Sequence, residues 1–173
     1  MEELLFLARA DAGGLARDVG PVCLIEALEE AVQSAVGSRQ SAVGIRLESI
    51  DPALMVSGSG SELTRLFTNL LENAVRHTPP EGTVTVSVRV DAMSVTVTVT
   101  DTGEGIAPEH LLHLGERFYR VDAARSAGTG GTGLGLAICR SITEAHGGRM
   151  TIESKVGEGT VLRIRLLLCP PRT

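Results

Sequence analysis

The chain has 173 residues, 43% of them hydrophobic, and a formal net charge of −5; that length builds a proper core as one domain without staples. The negative balance, the absence of Trp and a single Tyr exclude a nucleic-acid surface with a stacking platform and leave small molecules or proteins as partners. Cys23, Cys139 and Cys169 are odd in number and without metal spacing, which reads as thiols in a reducing compartment, and no apolar run approaches the roughly 20 residues of a membrane span, so the chain as given reads as soluble.

Residues 1–10 put Leu4, Leu5, Leu7 and Ala8 on a narrow helical face that stops at Asp11-Ala12-Gly13-Gly14, like the tail of something longer. Residues 15–21 read as a connector. Leu24, Ile25, Leu28, Ala31, Val32 and Ala35 recur at helical spacing up to the stop at Gly37. Val43, Ile45 and Leu47 alternate as a half-buried strand, and Asp51-Pro52 turns towards a second short strand at 54–56, which predicts one hairpin. Gly58-Ser59-Gly60-Ser61 is a break. From Glu62, the spacing of Leu63, Leu66, Phe67, Leu70, Leu71, Ala74 and Val75 predicts a long helix ended by Pro79-Pro80. Residues 83–90 and 94–100 are β-branched runs with alternating valines, an antiparallel pair with one buried face. Residues 109–114 make a short helix at best. The stretch 116–131 has no period and reads as a long loop, a lid or disordered. A helix at 134–145, a Gly147-Gly148 stop and strands at 150–153 and 161–167 complete an α+β fold, with helices on one face of a mixed sheet.

Three groups of residues carry chemistry. The stretch GTGGTGLGLA, residues 128–137, has glycines at 128, 130, 131, 133 and 135 and runs into the helical pattern of Leu134, Leu136, Ala137 and Ile138. Such a loop aims unpaired N–H groups and a positive helix end at one point, which suits phosphate; a flexible linker would be richer in serine and lack the periodic continuation. No Lys precedes a Ser or Thr as in a Walker loop, and no strand precedes it as in a dinucleotide turn. Asn69 and Asn73 share one helical face, with Arg76 and His77 on the next turn. A neutral amide oxygen suits Mg²⁺, which fills its shell with water and substrate phosphates. Asp101-Thr102-Gly103-Glu104-Gly105 ends a strand, where a carboxylate can accept from an exocyclic amine while the glycine backbone approaches a flat ring. A solvated helix edge and a plain turn are the alternatives for the last two groups.

In combination these motifs resemble the ATP-binding catalytic domain of sensor histidine kinases, in the Bergerat-fold group that also holds gyrase-type, chaperone and mismatch-repair ATPases. The likeness covers about residues 22–168: NLLENAVRH is similar to the asparagine box, DTGEGI to the first glycine box, ERFYR to the phenylalanine box, GTGLGLAI to the second glycine box, and GGRMTIES with GEGT to the closing strands. The resemblance implies a two-layer sandwich, with about five mostly antiparallel strands covered on one face by about three helices. It implies ATP and Mg²⁺ as ligands, with Asn73 on the metal, Asn69, Arg76 and His77 towards the phosphates, and Asp101 on the adenine amine. Gly103, Gly105 and Ile106 then shape the adenine pocket, Phe118 and Arg120 work from the lid 116–131, Gly131, Thr132, Gly133, Leu134, Gly135 and Leu136 cradle phosphate, and Thr160 supports the base. Catalytic roles fall to Asn69, Arg76 and Arg120. Residues 1–20 become the remnant of a dimerisation helix with its connector, and 21–170 the catalytic domain. The implied partners are a phosphoacceptor helical hairpin of the full-length kinase and a response regulator. The implied setting is the cytoplasmic side of a protein anchored in the cell membrane.

Two departures stand out. Gly115 occupies the position of the family's second aromatic, three residues before Phe118, and none of His77, His110, His113 and His146 is followed by the family's phosphoacceptor pattern. Hydrolysing members of the fold place a Glu base four residues before the metal-binding Asn. Here that position is Asn69, whose amide cannot take a proton, and Glu72 is expected to point about 100° away around the helix. Transfer of the γ-phosphoryl group to a histidine is therefore the favoured reading. An anti-sigma-type serine kinase, an ATPase and a degenerate nucleotide-binding regulator are the rivals.

Overall fold

In a computed structural model describing residues 2–37, 43–48, 50–121 and 131–169, the apolar stripe from Leu63 to Val75 lies along one side of α3 (Gly60–His77) and is buried throughout. Its burial follows from its neighbours: α3 packs between α2 (Leu24–Gly37) and α5 (Gly135–Ala145), so the stripe faces both helices and the sheet beneath. Helix α1 (Glu2–Asp11) lies on α5, and α4 (Pro108–Leu111) is a single turn.

The sheet runs in the order β2 (Gly44–Leu47), β4 (Thr83–Val90), β5 (Ser94–Asp101), β7 (Gly159–Leu167), β6 (Arg149–Lys155). All neighbours are antiparallel except β2 and β4. The register sets Val86 against Val99 and Val97 against both Val88 and Ile164, so alternate residues form one apolar face. Val84, Val86, Val95, Val97, Val99, Leu162, Ile164 and Leu166 are buried there, each valine or leucine contributing about 1.5–3 kcal/mol. Three helices on one face of a five-stranded, mostly antiparallel sheet is the predicted sandwich.

Two expectations fail at the short strands. The end of the connector runs into a strand, β1 (Gly20–Cys23), which pairs antiparallel with β3 (Met55–Gly58), setting Val22 against Val56. The predicted hairpin therefore does not form; β2 instead lies parallel to β4, with Ile45 beside Val84 and Leu47 beside Val86. Parallel pairing needs a long crossover, and β3 with α3 supplies it. The glycine-serine break also shrinks to one residue. Gly58 ends β3, Gly60 begins α3, and Ser59 is the N-cap between them.

A buried polar junction fixes that cap. The Ser59 N–H donates to His146 Nε2 at 3.0 Å, while His146 Nδ1 is 2.8 Å from the Ile142 carbonyl; a nitrogen that accepts cannot also carry the proton, so the ring is the Nδ1–H tautomer. Beside it, the buried Glu62 carboxylate accepts from the Ala16 N–H at 2.9 Å and from Arg9 Nη2 at 3.3 Å. This joins the N-terminus of α3 to the C-terminal turn of α5 and to the segment following α1. Among the described residues no helix is long and apolar enough to cross a membrane, and the three cysteines are free, Cys139 being buried.

Candidate functional site

Where the polar edge of α3, the C-terminal end of β5 and the N-terminus of α5 meet, they leave a cavity of about 370 Å³, within the usual size range of small-ligand pockets. Leu70, Leu71 and Ala74 anchor α3 in the core, so Asn69, Asn73, Arg76 and His77 line one wall. The Asn69 Nδ2 is buried and has no hydrogen-bond partner among the described residues. An unmade buried donor costs about 1–3 kcal/mol, which fits a site built to give that bond to a ligand acceptor.

Asp101 lies at the deep end, 6% exposed. Its Oδ1 accepts the Gly103 N–H at 2.9 Å and the Thr160 N–H at 3.2 Å, which leaves Oδ2 for a ligand donor. Burial raises this carboxyl from its ordinary value, against the lowering effect of the Gly103 and Thr160 bonds and of nearby His77. Gly103 and Gly105 are required by close approach of backbone to backbone. A Cβ at Gly103 would lie 2.3 Å from the His77 carbonyl oxygen, and one at Gly105, whose φ is +70°, would lie 2.0 Å from the Lys155 carbonyl oxygen. Ser154 carries the neighbouring polar chain. Its hydroxyl donates to the Gly159 carbonyl and accepts from the Ile106 N–H, each at 2.8 Å. Its one proton being spent, the Thr160 hydroxyl is the donor across their 2.8 Å contact, and Thr160 Oγ1 is left as an acceptor towards the cavity.

The opposite wall is the glycine stretch. A Cβ at Gly131 would lie 2.5 Å from Arg76 Nη1, so the absence of a side chain lets the Arg76 guanidinium sit against this loop. Gly133, at φ +73°, packs on the Phe118 backbone and accepts the Phe118 N–H through its carbonyl at 3.0 Å. Helix α5 starts at Gly135 with Leu134 as its N-cap and no side-chain capping bond, so its first N–H groups are available at the cavity, which Gly135 lines.

The predicted residues Asn69, Asn73, Arg76, His77, Asp101, Gly105, Ile106, Arg120, Gly131, Thr132, Gly133, Gly135, Leu136 and Thr160 all line this one cavity. Gly103, Phe118 and Leu134 do not. Gly103 acts through its N–H on Asp101, Leu134 is buried in the core, and Phe118, at φ +65°, is 62% exposed. Gly128, Gly130 and most of the lid lie outside the described residues. Glu72, expected about 100° around the helix from Asn73, also lines the cavity. At Gly115, φ +88°, the Arg140 guanidinium sits 3.1 Å from where a Cβ would be and donates to the Leu114 carbonyl at 2.9 Å, so Arg140 stands against the position that lacks a side chain. Tyr119 and Ser154 lie inside the ERFYR and GGRMTIES stretches but are not singled out by them, and no sequence pattern marks Glu3. Glu3 reaches the cavity from the other end of the chain.

The family described as "Histidine kinase-, DNA gyrase B-, and HSP90-like ATPase" matches residues 58–170. The phosphate regulon sensor protein PhoR of Pseudomonas aeruginosa is 39% identical over 92% of this chain and 36% of its own length. The sensor protein SrrB of Staphylococcus aureus is 36% identical over 96% and 28%. The chain thus spans about a third of the length of these curated relatives. Among solved structures, the mycobacterial sensor histidine kinase MprB superposes with a TM-score of 0.77 at 30% identity, covering 88% of this chain and all of that one. The chain belongs to the histidine kinase-, DNA gyrase B- and HSP90-like ATPase family, and within it to the ATP-binding catalytic domains of sensor histidine kinases.

Proposed function

We propose that this domain binds ATP with Mg²⁺ and transfers the γ-phosphoryl group to a histidine on a helical hairpin of the full-length kinase, for onward transfer to a response regulator. The observation that carries this reading is the joining, in one cavity, of a buried carboxylate with one oxygen unpartnered among the described residues and an α5 terminus without a side-chain cap, with Asn69, Asn73 and Arg76. An adenine amine is matched by the first, and a polyphosphate by the second. The orphan Asn69 Nδ2 fits a phosphate oxygen. The side-chain oxygen of Asn73 suits Mg²⁺, which when bound would neutralise phosphate charge. Arg76 and Arg120 add cationic donors.

The protein's part in such a reaction is positioning and charge neutralisation, and the acceptor imidazole is itself the nucleophile. Position 69 carries an amide, so no base stands one helical turn before Asn73, and this favours transfer over hydrolysis. Glu72 keeps the ATPase reading open because it too lines the cavity. A radiolabelled-ATP assay separates the readings: the chain alone should neither label itself nor turn over ATP appreciably. With a hairpin bearing the acceptor histidine, it should yield acid-labile, base-stable label that the Asn73→Ala variant does not give. Robust turnover by the chain alone, lost in Glu72→Gln, would make it a hydrolase. Acid-stable label on a partner serine would make it a serine kinase of the anti-sigma type.

A further inference from the structure

Helix α1 is docked by its body. Leu7 is 1% exposed in the core, Phe6 lies under the Arg65 guanidinium at 4.2 Å from its ring centre, and Arg9 reaches buried Glu62. This docking sets two carboxylates of α1 against the segments that border the nucleotide cavity. Asp11 pairs with Arg117, next to Phe118. Glu3 accepts the Thr132 hydroxyl proton at 2.7 Å and itself lines the cavity with Asn69, Asn73 and Arg76.

The hydroxyl geometry makes the Glu3 contact exclusive. Thr132 Oγ1 accepts the Leu134 N–H at 3.3 Å and gives its one proton to Glu3, so the same proton cannot go to a phosphate oxygen. A carboxylate at this end of the cavity also repels a polyphosphate while leaving a neutral nucleoside at the Asp101 end untouched. The pair is exposed, and such contacts add little to folding stability, so its effect falls on the ligand rather than on the fold. We infer that helix α1 and a nucleoside triphosphate oppose each other at the phosphate end of the pocket, through Glu3 and its hold on Thr132. The inference rests on the nucleotide reading above. By linkage, a triphosphate loosens α1 by the same factor by which docked α1 weakens the triphosphate.

The test uses the whole 173-residue chain and calorimetric titration with Mg²⁺ plus a non-hydrolysable ATP analogue, and separately with adenosine. Glu3→Gln keeps an oxygen for Thr132 and removes the charge. It should bind the analogue roughly fivefold tighter, the lower end of ordinary inter-site coupling, with adenosine affinity unchanged. In the parent protein, the analogue should speed amide hydrogen exchange across residues 2–11, and adenosine should not. Equal or weaker analogue binding by Glu3→Gln, or an α1 that the analogue protects further, would overturn the inference and leave the nucleotide site standing, with Glu3 as a helper to the ligand. If neither protein binds adenosine or the analogue, the nucleotide reading itself fails and takes the inference with it.

Discussion

Replacing Asp101 by asparagine separates the ligand role of this carboxylate from its place in the fold. Oδ1 must keep accepting the Gly103 and Thr160 N–H groups, so the substituted amide is forced to put its oxygen there and its NH₂ towards the ligand. That turns an acceptor into a donor facing the adenine amine. Losing a hydrogen bond to a charged group costs about 1.5–3 kcal/mol, or roughly 10- to 150-fold in ATP affinity; the purine carbonyl of GTP, by contrast, meets a donor and should bind better than it does to the parent. The unliganded fold should not suffer. Burial raises the Asp101 carboxyl, so ionisation subtracts stability as pH rises from the unfolded value near 3.9 through the folded one, and a neutral amide escapes that cost. ATP needs the ionised form, so parent affinity should fall as pH falls through the raised Asp101 value, and the Asp101→Asn variant should lose this dependence. Calorimetry with ATP and GTP over a pH series, with thermal unfolding of the unliganded proteins, is the assay. Unchanged ATP affinity in the variant, or a loss matched by a lowered Tm without ligand, refutes the reasoning.

Asn73→Ala should abolish the Mg²⁺-dependent part of ATP affinity and leave thermal unfolding of the unliganded protein unchanged; an unaltered Mg²⁺ titration rejects Asn73 as the metal residue. Gly105→Ala should destabilise by at least about 2 kcal/mol in denaturant titration, since its Cβ would stand 2.0 Å from the Lys155 carbonyl oxygen at φ +70°. Glu62→Ala should cost about 1–3 kcal/mol by orphaning the Ala16 N–H and should speed hydrogen exchange in residues 2–16 before the rest of the domain; uniform acceleration across the chain would mean that α1 is not a separately held unit.

How far the sequence could be read follows from what periodicity encodes. The helices α2, α3 and α5 and the strands β4 to β7 were legible because each carries several apolar residues at one period, and a period reports which face is buried. It does not report the neighbour. Ile45 and Leu47 alternate equally well in a hairpin and in the parallel pair with Val84 and Val86 that β2 makes, and only the packing of α3 decides between them. β1 has four residues, one of them Pro21, too few for alternation to register and with one ladder donor missing. At the candidate site, Asn69, Asn73 and Asp101 stand out in the sequence because helix geometry and a strand end carry them, and all three line the one cavity. Ser154 does not, since its bonds to Gly159 and Thr160 form only across the β6–β7 hairpin and its bond from the Ile106 N–H only once that hairpin meets the loop after β5. Glu3 is the extreme case. Its contact with Thr132 spans 129 positions, and nothing local marks a glutamate in the first turn of a helix as more than a favourable charge at its N-terminus. The residues that tie the site to the rest of the chain are therefore those that sequence patterns miss, because coupling belongs to the docking of whole elements and leaves no period behind.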